Sequence, residues 1–434
     1  YSFTDDPRSA DVLLYNTCSV RDHAEQKVYS RLGADARRKS AGKKLIVGVL
    51  GCMAQKDREG LARYPAVDII CAPGQIYRLC DMLAQAASSK GLQIALDPKR
   101  NEPVDEAARQ AIDEMDILRD ISVTPSRSQA FVRVMRGCDN FCTYCIVPYT
   151  RGPEASRSPH DVYEEVRRLV DAGRSEITLL GQTVNSYHHS AGGVTTGFAD
   201  LLCMLSPIVG LRRLRFVTSH PMSFDENILT AMRDLPNVCH YMHVPAQSGS
   251  DVMLKAMNRG YTSAVYDELI CTARSIVPDM VFAGDFIVGF PGETDEDHAA
   301  SAELIRRTGY RNSFIFKYSP RPGTLAAKKY ADDISEETKK NRNNELLAVQ
   351  KEVSLVHHEA FVGRTLEVLV TGPSRRSDRQ DSPGTARRMQ MMGRTRGDHI
   401  VIFDGPESST DTYRDVTITS AGELILFGEL NPLA

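Results

Sequence analysis

The sequence lacks a long apolar run, an export signal and a strong excess of charge of one sign. No stretch approaches the roughly 18–20 consecutive apolar residues of a membrane span, and no basic segment leads into an apolar one as in a secretory signal. With 53 Lys and Arg against 56 Asp and Glu, the formal charge of the 434 residues is −3. These absences predict a cytoplasmic protein without a membrane anchor. They still allow a local basic surface that binds nucleic acid.

Cysteine is scarce and unevenly placed. Ten cysteines in 434 residues are far too few for a disulfide scaffold. Three of them, Cys138, Cys142 and Cys145, lie within eight residues of one another. In a chain without an export signal, such a cluster indicates a metal-binding or catalytic site.

The order of apolar and polar segments predicts an α/β protein with three domains and one linker. Residues 1–95 alternate strand and helix three times, which is typical of a parallel α/β domain. Residues 96–128 are acidic and contain several prolines, so we expect a linker. Residues 129–362 carry six strand-and-helix units, which suit a partial (β/α)6 TIM-like barrel. Residues 363–431 lose the helical period and predict a small all-β, OB-like domain.

The sharpest motif is the C-x3-C-x2-C loop formed by Cys138, Cys142 and Cys145. Three thiolates can hold three irons of a [4Fe–4S] cube and leave the fourth iron without a protein ligand. An open metal position is what a catalytic site keeps. Since the loop follows a predicted strand at 130–135, we expect it at the carboxyl-terminal mouth of the barrel. The alternative is a structural zinc loop, but no fourth Cys or His follows until His160.

This loop, with Tyr144 before its last cysteine, resembles the radical S-adenosylmethionine (SAM) superfamily. In that superfamily the open iron chelates SAM, and reductive cleavage gives a 5′-deoxyadenosyl radical. The resemblance implies a catalytic cluster on Cys138, Cys142 and Cys145, with SAM bound at the ends of barrel strands. The residues that it implies for SAM binding are Tyr144, Gly181, Gln182, Gln247, Asp285, Ile287, Gly289 and Glu293.

Further segments resemble the methylthiotransferase family of that superfamily. They are residues 16–18, 51–55, 145–152, 219–221 and 320–324. The family combines an N-terminal α/β domain that binds an auxiliary [4Fe–4S] cluster, a radical SAM barrel and a C-terminal TRAM domain, and the resemblance covers essentially the whole chain. Residues 151–157 and 181–185 are most similar to its tRNA-modifying branch, which methylthiolates C2 of N6-(dimethylallyl)adenosine at position 37, next to the anticodon.

The resemblance implies that Cys18 and Cys52 hold the auxiliary cluster, together with a third cysteine that the family places upstream. Because Tyr1 stands where an initiator Met would, we expect that an N-terminal piece with this ligand is missing. Cys71, which also ends a predicted strand, is the alternative ligand, although a buried core cysteine is the expected role. Core positions are expected as well for Cys80, Cys203, Cys239 and Cys271.

A basic segment in the C-terminal domain predicts an RNA contact. Between Ser374 and Arg396, seven arginines oppose Asp378 and Asp381, a local charge of 7 − 2 = +5. Guanidinium groups suit phosphate contacts and base stacking, although a solvated basic loop is the alternative. The predicted contacts to a tRNA anticodon stem-loop are Arg375, Arg376, Arg387, Arg388 and Arg394.

Taken with the family, these features imply a monomeric enzyme that uses two SAM, one as methyl donor and one as radical source. Sulfur would come from the auxiliary one of two [4Fe–4S] clusters, and electrons from a flavodoxin or ferredoxin. Four alternatives stay open: methylthiolation of threonylcarbamoyl-adenosine in tRNA, methylthiolation of a ribosomal protein side chain, a cobalamin-dependent methylase, and an iron–sulfur RNA-binding protein without activity. Against cobalamin, the one His before Cys138 is His23, outside any Asp-x-His-x-x-Gly motif.

Overall fold

A computed structural model gives the chain as two compact units. It describes residues 1–17, 22–88, 91–98, 100, 102, 106–122, 126–374 and 389–432. The first unit comprises Tyr1–Arg119, Arg136–Ala155 and Arg321–Leu325. The second comprises Asp120–Met135, Ser156–Pro320 and Ala326–Ala434. In the described part of the chain, no helix combines the length and the apolar character needed to cross a membrane.

The first unit is built on a four-stranded parallel sheet in the order β1-β2-β3-β4. Its strands are β1 (Val12–Asn16), β2 (Ile46–Leu50), β3 (Ile69–Cys71) and β4 (Gln93–Ala95). Asn16 is paired with Leu50, Leu50 with Cys71, and Cys71 with Ala95. All four strands therefore end at one edge of the sheet, which is where open α/β sheets bind ligands.

The described part of the first unit has six helices, and the first four in chain order pack on the two faces of the sheet. They are α1 (Asp22–Ser40), α2 (Cys52–Lys56), α3 (Arg58–Ala62), α4 (Leu79–Ala87), α5 (Glu106–Leu118) and α6 (Val147–Thr150). Val47 and Val49 pack in one apolar cluster, whereas Leu50, Ile69 and Cys71 belong to another. Burial of both faces explains why the strands are short continuous apolar runs in the sequence.

Two elements of the first unit were not predicted. Strand β4 has only three residues, and α5 lies within the segment 96–128 that was predicted as a linker. Helix α5 packs against the 3-10 turn Pro73–Arg78. Its acidic and apolar residues alternate at helical spacing, but the surrounding prolines obscured that pattern.

The second unit contains six parallel strands, which confirms the predicted partial (β/α)6 barrel. They form two sheets, β11-β8-β5 and β12-β13-β14, and a parallel bridge joins Leu214 of β11 to Val238 just before β12. The strands are β5 (Gln129–Arg133), β8 (Glu176–Leu180), β11 (Arg213–Val217), β12 (Tyr241–His243), β13 (Val281–Val288) and β14 (Asn312–Lys317). Two short strand pairs accompany them: β6 (Met135–Arg136) with β7 (Ala155–Ser156), and β9 (His188–Ala191) with β10 (Val194–Gly197).

Local capping signals fix where the barrel helices begin. Ser, Thr and Asp side chains accept the N–H three residues ahead at Asp225, Ser250, Thr262, Thr294 and Ser335. The helices are α7 (Pro159–Asp171), α8 (Phe198–Leu205), α9 (Glu226–Asp234), α10 (Asp251–Ala256), α11 (Ser263–Ile276), α12 (Asp295–Thr308), α13 (Leu325–Lys329) and α14 (Glu336–Glu359).

A closed five-stranded barrel completes the second unit, as the sequence predicted for its C-terminal region. Its strands, in the order β15-β16-β17-β19-β18, close around an apolar core that includes Val368, Val370 and Phe403. The strands are β15 (Thr365–Pro373), β16 (Met389–Arg394), β17 (Ile400–Gly405), β18 (Tyr413–Ala421) and β19 (Leu426–Leu430). These proportions match those of an OB-like domain.

Buried arginines attach the closed barrel to the amino-terminal ends of the parallel strands. Arg213, the first residue of β11, donates from Nη1 to the carbonyl of Arg394 at 2.8 Å. Arg215 donates from Nη1 to the carbonyl of Arg396 at 2.9 Å. Because these contacts lie at the amino-terminal ends, the carboxyl-terminal ends of the strands stay available for a site.

Candidate active site

The predicted cluster loop folds back on the segment that follows it. Gly137 has φ of 74°, and a Cβ built there would lie 1.8 Å from the carbonyl oxygen of Pro153. The N–H of Cys138 donates to the carbonyl of Gly152 at 3.2 Å. Only glycine allows this approach of two backbones, so the turn that begins the motif depends on Gly137.

The structure brings the three predicted cysteines together on one short loop. Cys142 is buried, whereas Cys138 and Cys145 are half-buried. The N–H of Cys145 donates to the carbonyl of Cys142 at 2.9 Å, and Asn140 Nδ2 lies 3.4 Å from the Sγ of Cys138. Tyr144 is half-buried in the same turn. Three thiols on one loop fit a four-iron cube, whose irons are ligated separately. Among the residues that the structure describes, no three His, Cys, Asp or Glu side chains are placed to hold a single metal ion.

Arg100 fixes this loop, and sequence reasoning missed it. Its Nη1 lies 3.3 Å from the carbonyl oxygen of Cys138 and 3.4 Å from that of Pro148. The guanidinium also pairs with Asp139 and stands 4.5 Å above the ring of Phe141. A single arginine in a proline-rich segment carries no sequence signal that would have identified this role.

Gly181 and Gln182, two of the residues predicted to bind SAM, directly follow β8. Gln182 Oε1 is shielded from solvent and accepts no hydrogen bond within the described residues. A buried amide oxygen without a donor costs stability, so it fits a ligand that brings a donor, such as the amino group of SAM. This observation supports the predicted contact.

Three further residues predicted to bind SAM come together where the segment that follows β12 runs beside β13. The N–H of Gln247 donates to the carbonyl of Asp285 at 2.7 Å, and the N–H of Ile287 donates to the carbonyl of Gln247 at 2.9 Å. The carboxylate of Asp285 lies 3.1 Å from His243 Nε2. The backbone of Gln247 therefore extends the pairing between β12 and β13 beyond the end of β12.

Gly289 and Glu293 form the turn after β13. The N–H of Gly289 donates to Glu293 Oε2 at 2.7 Å, and Arg342 Nη1 donates to the same oxygen at 2.8 Å. Burial raises the pKa of Glu293, while these two donors oppose that shift. The carboxylate thus closes its own turn, and a contact from Glu293 to SAM stays a prediction.

The end of β11 offers polar atoms that sequence reasoning assigned to no role. Ser219 Oγ and His220 Nε2 are both buried and have no hydrogen-bond partner in the described chain. The Nδ1 of His220 accepts from the N–H of Met222 at 3.3 Å, so Nε2 carries the proton of the neutral ring. Burial, with a smaller effect of Arg259, lowers the pKa of His220 to about 3. The family-like segment 219–221 was the signal that could have identified them.

In the first unit, Cys52 stands at the carboxyl end of β2 as the first residue of α2 and is 3% exposed. Gly51 has φ of 87°, and a Cβ there would lie 2.5 Å from Asn16 Oδ1. The N–H of Met53 donates to the carbonyl of Thr17 at 3.4 Å. The segment that leads to Cys18 therefore lies against Cys52, whereas Cys18 itself is outside the described residues. A buried thiol at the carboxyl edge of the sheet can serve as one ligand of an iron–sulfur cluster.

The other cysteines divide between core and surface. Cys71 is fully buried, and burial raises the pKa of its thiol to about 11, which disfavours the thiolate that a metal needs. Cys239 is buried as expected. The expectation of core positions was wrong for Cys80, Cys203 and Cys271, which are exposed on helices. Helical periodicity alone did not separate their exposed positions from the buried stripe.

Of the predicted RNA contacts, Arg375, Arg376, Arg387 and Arg388 lie outside the described residues. Arg394 ends β16, is partly exposed and pairs with Asp398 Oδ1 at 2.8 Å. Arg396 donates from Nη2 to the carbonyls of Pro236 and Val238 at 2.7 and 2.9 Å. Part of the basic charge counted in the sequence therefore serves packing within the second unit.

Two family models match the chain. The Radical SAM superfamily model matches residues 132–305, and the model described as "Uncharacterized protein family UPF0004" matches residues 1–72. Among solved structures, the radical SAM methyltransferase TsrM from Kitasatospora setae superimposes with a TM-score of 0.54. That likeness covers 74% of this chain and 64% of TsrM at 16% identity, so it concerns the fold alone.

Curated relatives extend the similarity over nearly the whole chain. A tRNA-2-methylthio-N6-dimethylallyladenosine synthase of Rhodopirellula baltica is 46% identical over 431 residues, 99% of this chain and 90% of the relative. Synthases of the same description from Porphyromonas gingivalis and Thermoanaerobacter sp. are 38% and 39% identical, each over 99% of this chain and 89% and 87% of the relative. The chain belongs to the radical SAM family of tRNA-2-methylthio-N6-dimethylallyladenosine synthases.

Proposed function

We propose that this protein replaces the C2 hydrogen of N6-(dimethylallyl)adenosine in tRNA by a methylthio group. The observation that supports the proposal is that one compact unit holds both the three-cysteine loop and a further buried cysteine at a sheet edge. The three-cysteine loop and Cys52 both belong to the first unit. A single radical SAM cluster would leave Cys52 and its family-like surroundings without a role.

The family implies SAM and one [4Fe–4S] cluster, and we assign that cluster to Cys138, Cys142 and Cys145. A second [4Fe–4S] cluster is proposed on Cys18, Cys52 and a third ligand. When bound, the first cluster delivers the electron that cleaves SAM to a radical, and the second carries the sulfur that is transferred. SAM serves twice, once as methyl donor and once as radical source.

The protein's own residues bind and orient the reactants. Gln182 Oε1 would accept a hydrogen bond from the SAM amino group, and the backbone beside Gln247 and Asp285 would help to hold SAM. The Nε2–H of His220 would be available to donate to an acceptor on a bound reactant, since Nε2 is buried without a partner among the described residues. Donors and acceptors that are already fixed by the fold would reduce the cost of orienting SAM for reaction.

We further propose that the anticodon stem-loop binds the closed barrel through the basic segment that includes Arg387 and Arg388. The domain boundaries proposed from the sequence, 1–95, 96–128, 129–362 and 363–431, place this segment in the TRAM domain. A flavodoxin or ferredoxin would supply electrons to a monomer in the cytoplasm. The target adenine would leave its stack to reach the strand ends.

The test is mass spectrometry of tRNA nucleosides from cells that lack the gene, with and without a plasmid-borne copy. The copy should restore the 2-methylthio derivative of N6-(dimethylallyl)adenosine. Restoration of a methylthio derivative of threonylcarbamoyl-adenosine instead would assign the other tRNA substrate. Unchanged tRNA with a newly methylthiolated ribosomal protein would overturn the proposal.

A further inference from the structure

We infer that Arg151 is a positioning residue of the auxiliary sulfur site, where its guanidinium donates a hydrogen bond to the sulfur of Cys52. The Nε of Arg151 lies 3.3 Å from the Sγ of Cys52. The inference rests on the proposed function, because it treats Cys52 as a cluster ligand. It goes further in assigning a residue from the catalytic cluster loop to the second site.

The chain places Arg151 there through two short helices. Helix α6 begins two residues after Cys145, and Arg151 caps its carboxyl end, with its N–H donating to the carbonyl of Val147 at 2.9 Å. Helix α2 begins at Cys52 and packs against α6. The six residues from Cys145 to Arg151 thus join the last ligand of one proposed cluster to a donor at the other.

The chemistry of the two groups suits this contact. Cys52 is 3% exposed, so water solvates its sulfur poorly when the thiolate forms. A buried charge needs a charged or hydrogen-bonding partner. The Arg151 guanidinium has N–H donors and no acceptor atom, so it can be that partner and cannot itself bind a metal. It therefore favours the sulfur as an anionic ligand.

A donor at a ligand sulfur also tunes the metal centre that the ligand holds. Hydrogen bonds to cluster sulfurs help to set the reduction potential of iron–sulfur centres. The more reduced cluster carries more negative charge, so the guanidinium stabilises that state and raises the potential. Loss of the donor should lower the potential and loosen the placement of the sulfur that is transferred.

The test isolates the auxiliary cluster in the full-length protein. A background variant with Cys138→Ala, Cys142→Ala and Cys145→Ala removes the catalytic cluster, so that the remaining iron reports on the second site. In this background we compare Arg151→Gln, Arg151→Lys and Arg63→Gln. Arg63 is an exposed arginine of the same unit that caps α3. Arg63→Gln removes one positive charge, as Arg151→Gln does, and so controls for the change in charge.

In the background variant, electron paramagnetic resonance of the reduced cluster and a redox titration should show a more negative midpoint potential for Arg151→Gln. Arg151→Lys should have a potential between those of Arg151→Gln and the background variant, since an ammonium still donates a hydrogen bond but from a single point. Arg63→Gln should have the same potential as the background variant. With the catalytic cysteines intact, Arg151→Gln should lower methylthiolated product per SAM cleaved by roughly tenfold or more, the range typical of such supporting contacts.

Two results would overturn the inference. An unchanged potential and spectrum in Arg151→Gln would remove its role at the sulfur site. Weaker tRNA binding with an unchanged potential would assign Arg151 to RNA contact instead. The proposed function fails separately: if Cys52→Ala in the same background keeps the full cluster and its spectrum, Cys52 is no ligand, whatever Arg151 does.

Discussion

The backbone N–H of Gln247 donates to the carbonyl oxygen of Asp285 across 2.7 Å, and this bond ties the segment that follows β12 to the neighbouring strand β13. Gln247 adopts φ of 72° there. A non-glycine residue holds this conformation only when its surroundings fix it, and such residues concentrate at functional sites. The edge proposed for SAM is therefore shaped before any ligand binds.

Gln182 allows binding and stability to be separated. Its Oε1 is buried and has no donor in the described protein, so Gln182→Met should leave the melting temperature unchanged or raise it slightly. The same change should weaken SAM binding roughly tenfold, the equivalent of one hydrogen bond of about 1.4 kcal/mol. Calorimetric titration with SAM and thermal unfolding measure the two effects. Gln85→Met, on the exposed face of α4, is the control, and an equal SAM affinity in both variants would contradict the assignment.

Arg213 should dominate the attachment of the closed barrel. Its side chain is fully buried and donates from Nη2 to both the carbonyl and the carboxylate of Glu367 at 2.9 Å. Arg213→Ala leaves Glu367 and the buried Glu176 without this partner, so the free energy of unfolding should fall by about 3–5 kcal/mol.

The neighbouring Arg212 supplies the matched comparison. It pairs with the same Glu367 at 2.6 Å, yet its side chain is 52% exposed. Arg212→Ala should therefore cost only about 0–1 kcal/mol. Denaturant unfolding of both variants tests the difference, and equal losses would contradict a buried attachment through Arg213. RNA binding is best tested by the charge reversal Arg387→Glu and Arg388→Glu, which keeps the closed barrel and its contacts with Arg213.

Stability should fall as the pH drops below about 6.5. Burial lowers the pKa of His220 to about 3 and that of His357 to about 4. Between pH 6.5 and the folded pKa, each of these histidines is protonated in the unfolded chain but neutral in the folded chain. Each therefore contributes stability that is fully present above pH 6.5 and is lost as the pH falls towards its folded pKa. Each should add a slope of up to about 1.4 kcal/mol per pH unit.

Unfolding free energies measured between pH 7 and pH 4.5 check this dependence. His220→Asn should flatten the slope, because asparagine has no proton to gain. His160→Gln removes an exposed histidine and should leave the slope as it is. A slope in His220→Asn equal to that of the parent would show that His220 is accessible to protons in the folded protein.

Much of the fold was predictable because its signals are local. The six strand-and-helix units of residues 129–362 were predictable because strands such as Glu176–Leu180 and Arg213–Val217 are short, rich in apolar and β-branched or aromatic residues, and separated by helical segments. Strands β4 and β16 were missed: the first has three residues, and the second, Met-rich and flanked by arginines, has no alternating pattern. Strand β4 is held by pairing with β3, more than twenty residues earlier in the chain, which no local signal reveals.

In the candidate site, too, residues in local sequence motifs could be predicted, whereas residues that act through distant contacts could not. Spacing identified the three-cysteine loop, and a family resemblance identified Gln182 and Gln247. Neither could find Arg100 at the loop or Arg151 at Cys52, because those contacts join segments 38 and 99 residues apart. Side chains that act across such distances become visible only once the chain is folded.

The central claim, one site for the radical and another for the sulfur, is tested most directly by assaying both reactions on the same samples. Reconstituted wild type, Cys142→Ala and Cys52→Ala would be incubated with SAM, a reductant and tRNA that carries N6-(dimethylallyl)adenosine. Mass spectrometry then quantifies 5′-deoxyadenosine and the methylthiolated nucleoside. Cys142→Ala should form neither product, whereas Cys52→Ala should form 5′-deoxyadenosine without methylthiolated tRNA. Methylthiolated nucleoside from Cys52→Ala, or 5′-deoxyadenosine from Cys142→Ala, would contradict the account.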